Sequence, residues 1–252
     1  MPTQQVNQNF ETFYKLHHQS KPLLLANVWN VKSAQIVEAT GFEAMATSSG
    51  AIADSLGYKD GEQIPFTELL YMIKRIKSAV SIPLSVDMER GYTDDVNLLN
   101  EHIQQLIDAG VCGINIEDAQ GVDLYLKKLN SITAYLKNTG QQLFINARTD
   151  VFLQKLPSPS ETTIERANLY REAGANGLFV TGVRDADVIS KIVSSTTLPV
   201  NVVGAPPISV KALEDCGVKR ISMAVFLYRS TYNSMEKTAK EILNARSFEA
   251  MF

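Results

Sequence analysis

Long apolar runs are what this sequence most clearly lacks. No stretch of about 18 uncharged apolar residues occurs anywhere in the chain, so nothing in it reads as a membrane span. Cysteine is scarce. Cys112 and Cys216 are too few for a disulfide scaffold, and a reducing, cytoplasmic location is expected. Neither sign of charge dominates: 24 Lys+Arg against 27 Asp+Glu leave a formal net charge of −3. That excludes a polybasic chain held to nucleic acid through phosphates. The opening MPTQQVNQNFETFYKLHHQS has no basic region followed by an apolar run, so no secretory leader is expected there. No G-x-G-x-x-G follows any apolar run, so the usual dinucleotide fingerprint is missing. The three histidines, His17, His18 and His102, fall in helical patterns and read as surface or packing residues, not as a general base.

What is present is a regular alternation. The chain is 252 residues long and 45% hydrophobic, which excludes disorder. Divided by eight, that length gives about 31 residues per unit, the size of a strand-plus-helix module. Short apolar runs at 22–29, 42–49, 82–89, 113–118, 143–149, 177–182, 198–204 and 219–225 read as strands. Helical patterns follow them at 31–41, 66–80, 95–110, 123–140, 162–174, 185–197, 208–217 and 228–245. The fourth of these helices carries a potential break at Asn130-Ser131, and Thr162 or Thr163 is the expected cap of the fifth. A short helix around Phe10 to Leu16 precedes the first strand, and 50–65 reads as a long loop. EATGFEA, IDAGVCGI, REAGANGL and EDCGVKRI repeat one theme: helix end, glycine turn, next strand. The strands are nearly continuous apolar runs, as expected of a parallel sheet buried on both faces. The reading is a (β/α)8 barrel spanning 1–252 as one domain, with a doubly wound open sheet as the alternative.

In such a barrel the chemistry sits at the C-terminal ends of the strands. The polar residues there include Ser49 and Gly50 after the second strand, and Asp87 and Glu89 on the third. Asn115 and Glu117 follow on the fourth, and Asn146 and Arg148 on the fifth. Each of the last three pairs is two residues apart on a strand, so its members share a face. An inward register gathers three carboxylates and one guanidinium at the mouth. Buried like charges repel and demand compensation. A hard divalent cation such as Mg2+ would supply it, often through retained waters. Arg148 is placed to clamp a substrate carboxylate, and the backbone N–H groups of Ser49, Gly50 and Ala51 to bind an oxyanion. A structural ion-pair network is the competing account of the same charges. Trp29, at the end of the first strand, either lines the pocket or packs. Cys112 and Cys216 fall in helix-to-strand turns, at the opposite face of the barrel.

The segments ATSSGAIADSLGYKDGE, SVDMERGY, GINIEDA and NARTD, in this order on the second to fifth strands, resemble the successive motifs of the isocitrate lyase/phosphoenolpyruvate mutase superfamily. The resemblance runs from about Leu23 to Phe248. It implies a barrel whose last helix is exchanged between subunits of a homo-oligomer, a dimer or tetramer. It also implies Mg2+ and a small 2-oxo acid substrate that reacts through an enolate. By the same resemblance Asp87, Glu89 and Glu117 would hold the metal, and Asp60 would stand beside the substrate. Ser49, Gly50 and Ala51 would hold substrate oxygens, and Arg148 would contact substrate. Two departures stand out. EDAQGVDLYLKKLNS lacks the Cys- and His-bearing loop of the isocitrate lyases, and Glu89 stands where many members have Asp. The expected function is a Mg2+-dependent carbon–carbon lyase or decarboxylase. Phosphoenolpyruvate mutase or phosphonopyruvate hydrolase chemistry is the alternative, with a mobile 119–131 segment. A non-catalytic barrel that binds small acids is a third reading.

Overall fold

The computed structural model describes the backbone of residues 2–252, and side-chain surroundings from residue 8 onward. Helix α1 (Pro2–Leu16) is followed by β1 (Leu23–Val28), α2 (Val31–Ala39), β2 (Met45–Thr47), α3 (Ser49–Ser55), α4 (Phe66–Lys77) and β3 (Leu84–Asp87). Next come α5 (Val96–Asp108), β4 (Gly113–Glu117), α6 (Val122–Thr139), β5 (Phe144–Thr149), α7 (Pro159–Glu172) and β6 (Gly177–Val180). The chain ends with α8 (Ala186–Ser194), β7 (Val200–Val203), α9 (Val210–Asp215), β8 (Arg220–Ser222), α10 (Phe226–Ala245) and a 3-10 turn at Glu249–Met251. The eight strands form a closed barrel in sequence order, and every neighbouring pair, including β1 with β8, is parallel. The fold is therefore the (β/α)8 barrel, and the open-sheet alternative is excluded.

Strand parity sorts the side chains. In β4, Ile114 and Ile116 are fully buried under the helices, while Asn115 turns inward and meets Arg220 from the far side of the barrel at 3.2 Å. Helix starts follow their caps. Asp95 and Asp185 accept from the first-turn amides of α5 and α8, and Ser209 does so for α9. Asn30 and Ser33 form a reciprocal capping box on α2. The end of α6 is set by Gly140 in the left-handed region.

Three local expectations are corrected. The 50–65 segment is not all loop, because Ser48 caps the short helix α3 with its hydroxyl on the Ala51 N–H. Helix α6 does not break at Asn130-Ser131: Ser131 Oγ accepts from Asn100 Nδ2 at 3.0 Å and so contacts α5, while Asn130 is exposed. Helix α7 starts before Thr162, at Pro159, whose fixed φ is pre-set for a first helical turn. Thr163 is fully buried instead of capping.

The bottom of the barrel is plugged by α1. Phe13 and Leu16 pack with Leu23, Leu25, Ala44, Ala46, Cys112 and Phe144. Phe13 meets Phe144 edge-on at 5.4 Å between centroids, and the His17 ring stacks on Phe144 at 4.2 Å. The approach is close enough to require glycine at 113, where a Cβ would lie 2.8 Å from Phe13 Cε1. Cys112 precedes β4 inside this plug, and burial pushes its thiol up to about 12, which makes it inert. Cys216 caps the end of α9 at the same end of the barrel.

His17 is buried with its Nδ1 donating to Phe13 O at 2.7 Å, and burial pushes it down to about 3 from an ordinary 6.5. A base held neutral in the fold and charged when unfolded stabilises fully above its unfolded pKa. That contribution is lost as pH falls from 6.5 toward 3. Urea unfolding at pH 7 and pH 5 should show a loss of about 2 kcal/mol in the wild type that is absent from His17→Phe.

Candidate active site

A cavity of about 680 Å³ opens at the C-terminal mouth of the barrel, lined among others by Asn27, Ser49, Gly50, Asp60, Asp87 and Arg148. β3 delivers Asp87 with its last residue. Its Oδ2 accepts from Ser49 Oγ at 2.9 Å, and its backbone N–H donates to Thr47 Oγ1 at 3.0 Å. Asp87 Oδ1 is buried and, among the described residues, has no hydrogen-bond partner. Burial raises the Asp87 carboxyl above its usual range, against the pull of Arg148 and Ser49.

Glu89 does not lie on the strand with Asp87, as its spacing implied. The strand ends at Asp87, and Glu89 sits in the left-handed region with φ 47. It is nonetheless buried beside Asp87 and accepts from Tyr92 Oη at 3.0 Å. Burial, with the charges of Asp87 and Asp60, pushes Glu89 up to about 7. Glu117 ends β4, and burial pushes it up to about 8 although Arg148 stands beside it. Glu89 and Glu117 stand next to the cavity and not in its lining.

Arg148 is more heavily engaged than its sequence position implied. Its Nε and Nη2 donate to the two oxygens of Asp150 at 2.8 and 2.9 Å, and its Nη1 lies 2.7 Å from Glu117. Three of its five N–H groups are therefore committed, and two are left for a ligand. Asp150, held in turn by Thr181 Oγ1 at 2.6 Å, fixes the guanidinium plane. This partner was missed as a site residue. Its signal was legible, since Asp150 is two residues from Arg148 and shares its face.

The strand-2 turn is partly as expected. Ala51 is buried and spends its N–H on Ser48, so it offers no donor to a ligand. Ser49 and Gly50 belong to the first turn of α3, where the helix supplies no internal partner for N–H groups. Asp60 folds over Gly50 so closely that a Cβ there would lie 3.0 Å from its Oδ2. Trp29 packs: it is buried, outside the cavity lining, and edge-on to Tyr228 at 5.2 Å. Tyr58, Lys59, Arg184 and Arg229 line the mouth as well. Of these only Arg184 stood at a strand end in the sequence.

Asp118 fits the ion-pair account instead. It turns away from the mouth, is buried, and accepts from Asp150 N–H, Arg166 and Tyr170. Beneath the cavity floor, Arg220 is fully buried and, among the described residues, has no carboxylate within ion-pair distance. It donates to Asn115 and Ser222 at 3.2 Å each, and burial pushes it down to about 9.

Acidic groups concentrated at the C-terminal mouth of a (β/α)8 barrel define the enzyme arrangement of this fold. The sequence matches the family model described as phosphoenolpyruvate phosphomutase over residues 13–243, and the chain belongs to that family, within the isocitrate lyase/phosphoenolpyruvate mutase superfamily. It is 30% identical over 232 residues to an uncharacterized protein of Mycobacterium tuberculosis H37Rv, covering 92% of this chain and 88% of that one. It is 30% identical over 209 residues to an oxaloacetate decarboxylase of Rhodopseudomonas palustris CGA009, covering 79% of this chain and 72% of that one. A solved phosphonomutase-like protein of Burkholderia cenocepacia J2315 superposes with a TM-score of 0.89 at 32% identity, covering 94% of this chain and 99% of that one. A phosphonopyruvate hydrolase solved with oxalate and Mg2+ superposes with a TM-score of 0.85 at 20% identity, over 96% and 89% of the two chains, a likeness of fold alone.

If Asp118 is structural, Asp118→Asn strands the partly buried Arg166. It should cost about 3 kcal/mol in denaturant unfolding while ligand affinity at the mouth is unchanged.

Proposed function

We propose that this protein is a Mg2+-dependent lyase that acts on a small 2-oxo carboxylate through an enolate, by decarboxylation or C–C cleavage of an oxaloacetate-like substrate. Asp87 carries the reading: a half-buried carboxylate at the cavity wall, raised by desolvation, with one buried oxygen that has no partner among the described residues. Glu89 and Glu117, pushed up to about 7 and 8, add to the same deficit of positive charge. These donors suit a hard cation. Among the described residues no three acids, histidines or cysteines converge to ligate one directly, so retained waters would complete its shell. Asp87, Glu89 and Glu117 would hold it. When bound, it supplies Lewis-acid stabilisation of negative charge on the substrate's oxo oxygen.

The chain's own groups do the rest. The two uncommitted N–H groups of Arg148 neutralise the substrate carboxylate. The Ser49 and Gly50 amides receive a second oxygen. Asp60, in the lining and over Gly50, would move a proton at the carbon that becomes nucleophilic. The oxaloacetate decarboxylase relatives support C–C chemistry. The P–C alternative loses ground on one observation: α6 begins at Val122, so 119–131 holds a helix with Lys128 buried, in place of a free lid.

The exposure of α10 supports a homo-oligomer. Along its 20 residues only Tyr228 is buried, and Met235 and Leu243 are 64% and 67% exposed. A helix this poorly covered is built to pack on a second copy. Light scattering should report a dimer or tetramer, and Met235→Glu with Leu243→Glu should give monomers.

The activity test uses purified protein with Mg2+ on oxaloacetate, phosphonopyruvate and substituted malates. Oxaloacetate should yield pyruvate, with kcat/KM falling about 1,000-fold or more in Asp87→Ala. No turnover on any of these would sink the lyase reading. Binding of oxalate or pyruvate with no product would establish the acid-binding barrel instead.

A further inference from the structure

Two charged side chains outside the acid cluster close on one peptide. Glu62 Oε1 accepts from the N–H groups of Arg90 at 2.9 Å and Tyr92 at 2.7 Å. Its Oε2 meets the Arg90 guanidinium, with Nη2 at 3.0 Å and Nε at 3.2 Å. From the other side, Lys128 Nζ donates to Arg90 O at 2.8 Å, Asp94 Oδ1 at 2.8 Å and Gln120 Oε1 at 3.3 Å. Lys128 is 2% exposed, so its ammonium depends on those three acceptors.

The peptide they hold is strained. Glu89, Gly91 and Tyr92 all have positive φ, at 47, 104 and 61. Two of the three are non-glycine residues, for which that region is strained. Such a turn points its amides into a concave anion site, which the Glu62 carboxylate fills. The turn carries the Glu89 carboxylate and the Tyr92 hydroxyl that bonds it. The same carboxylate also anchors the loop of Asp60, two residues before Glu62, while Lys128 ties down Gln120 in the β4–α6 connection after Glu117.

We propose that Glu62 and Lys128 are positioning residues, a clamp on the Arg90 peptide that holds Glu89 in its left-handed conformation and aims its carboxylate at the barrel mouth. The proposal rests on reading Glu89 as a cation-holding group. A plain loop staple is the competing account. It predicts lost stability with no particular effect on the mouth.

The test titrates Mn2+ by electron paramagnetic resonance into the full chain and follows hydrogen exchange of segment 88–95 in the same samples. Glu62→Ala and Lys128→Met should each weaken Mn2+ binding about 10- to 100-fold, the usual loss when a ligand's own support is removed. Exchange in 88–95 should speed at least tenfold, with the barrel strands and Tm little changed. Glu62→Gln keeps an acceptor for both amides and should restore slow exchange. Unchanged exchange in both variants overturns the clamp, and so does acceleration spread evenly over the strands. Faster exchange at 88–95 with unaltered Mn2+ affinity also overturns it wherever Glu89→Gln does weaken Mn2+. If Glu89→Gln leaves Mn2+ binding untouched, the metal reading of Glu89 fails on its own, and the exchange data alone decide the clamp.

Discussion

A single guanidinium, that of Arg148, is shared at the mouth of this barrel by Glu117 and Asp150, with Asp87 close enough to feel its charge. Much of the site depends on that shortage. Were there a cation for each acid, the mouth would be a closed ion-pair network with nothing to bind. Lys59, Arg184 and Arg229 also line the mouth but, among the described residues, pair with none of these acids, so burial keeps Glu89 and Glu117 pushed toward neutrality and Asp87 keeps an unsatisfied oxygen. The arrangement is incomplete by charge, and a desolvated site that is incomplete by charge selects ligands that complete it. Asp150 matters because it decides how the scarce cation is spent, locking its plane and leaving two N–H groups free.

The barrel was legible because closure imposes a repetition that local sequence must obey. Each parallel strand is covered by helices outside and side chains inside, so each is a short apolar run, and each helix must stop at a turn. The repeats EATGFEA, IDAGVCGI, REAGANGL and EDCGVKRI record that geometry directly. Helix α3 was not legible, since its seven residues begin Ser-Gly and carry too few turns for a period to show. The start of α7 was missed because two threonines resembled a cap while Pro159 set the true first turn.

The site was legible to the extent that strand parity could be applied. Parity correctly placed Asn115, Glu117, Asn146 and Arg148 inward, and it would have turned Asp118 outward toward α7, where it meets Arg166 and Tyr170. Parity fails where the strand stops. Asp87 and Glu89 lie near each other, but through a left-handed turn and not through a shared pleat. Glu62 and Lys128 gave no local sign, because their partner is a backbone peptide 28 residues from one and 38 from the other. The β4–α6 connection is four residues long. Gln154 Nε2 ties this connection down at Ala119 O.

The plug of Phe13, His17 and Phe144 at the bottom of the barrel works as electrical insulation. It seals the interior below Arg220, a guanidinium without a carboxylate partner among the described residues, and keeps out the water that would screen it. The field of that buried charge is then free to act upward, on Asp87, through a medium of low dielectric. The N-terminal helix, at the end of the molecule farthest from the mouth, thereby helps set the potential at which the mouth meets an anion.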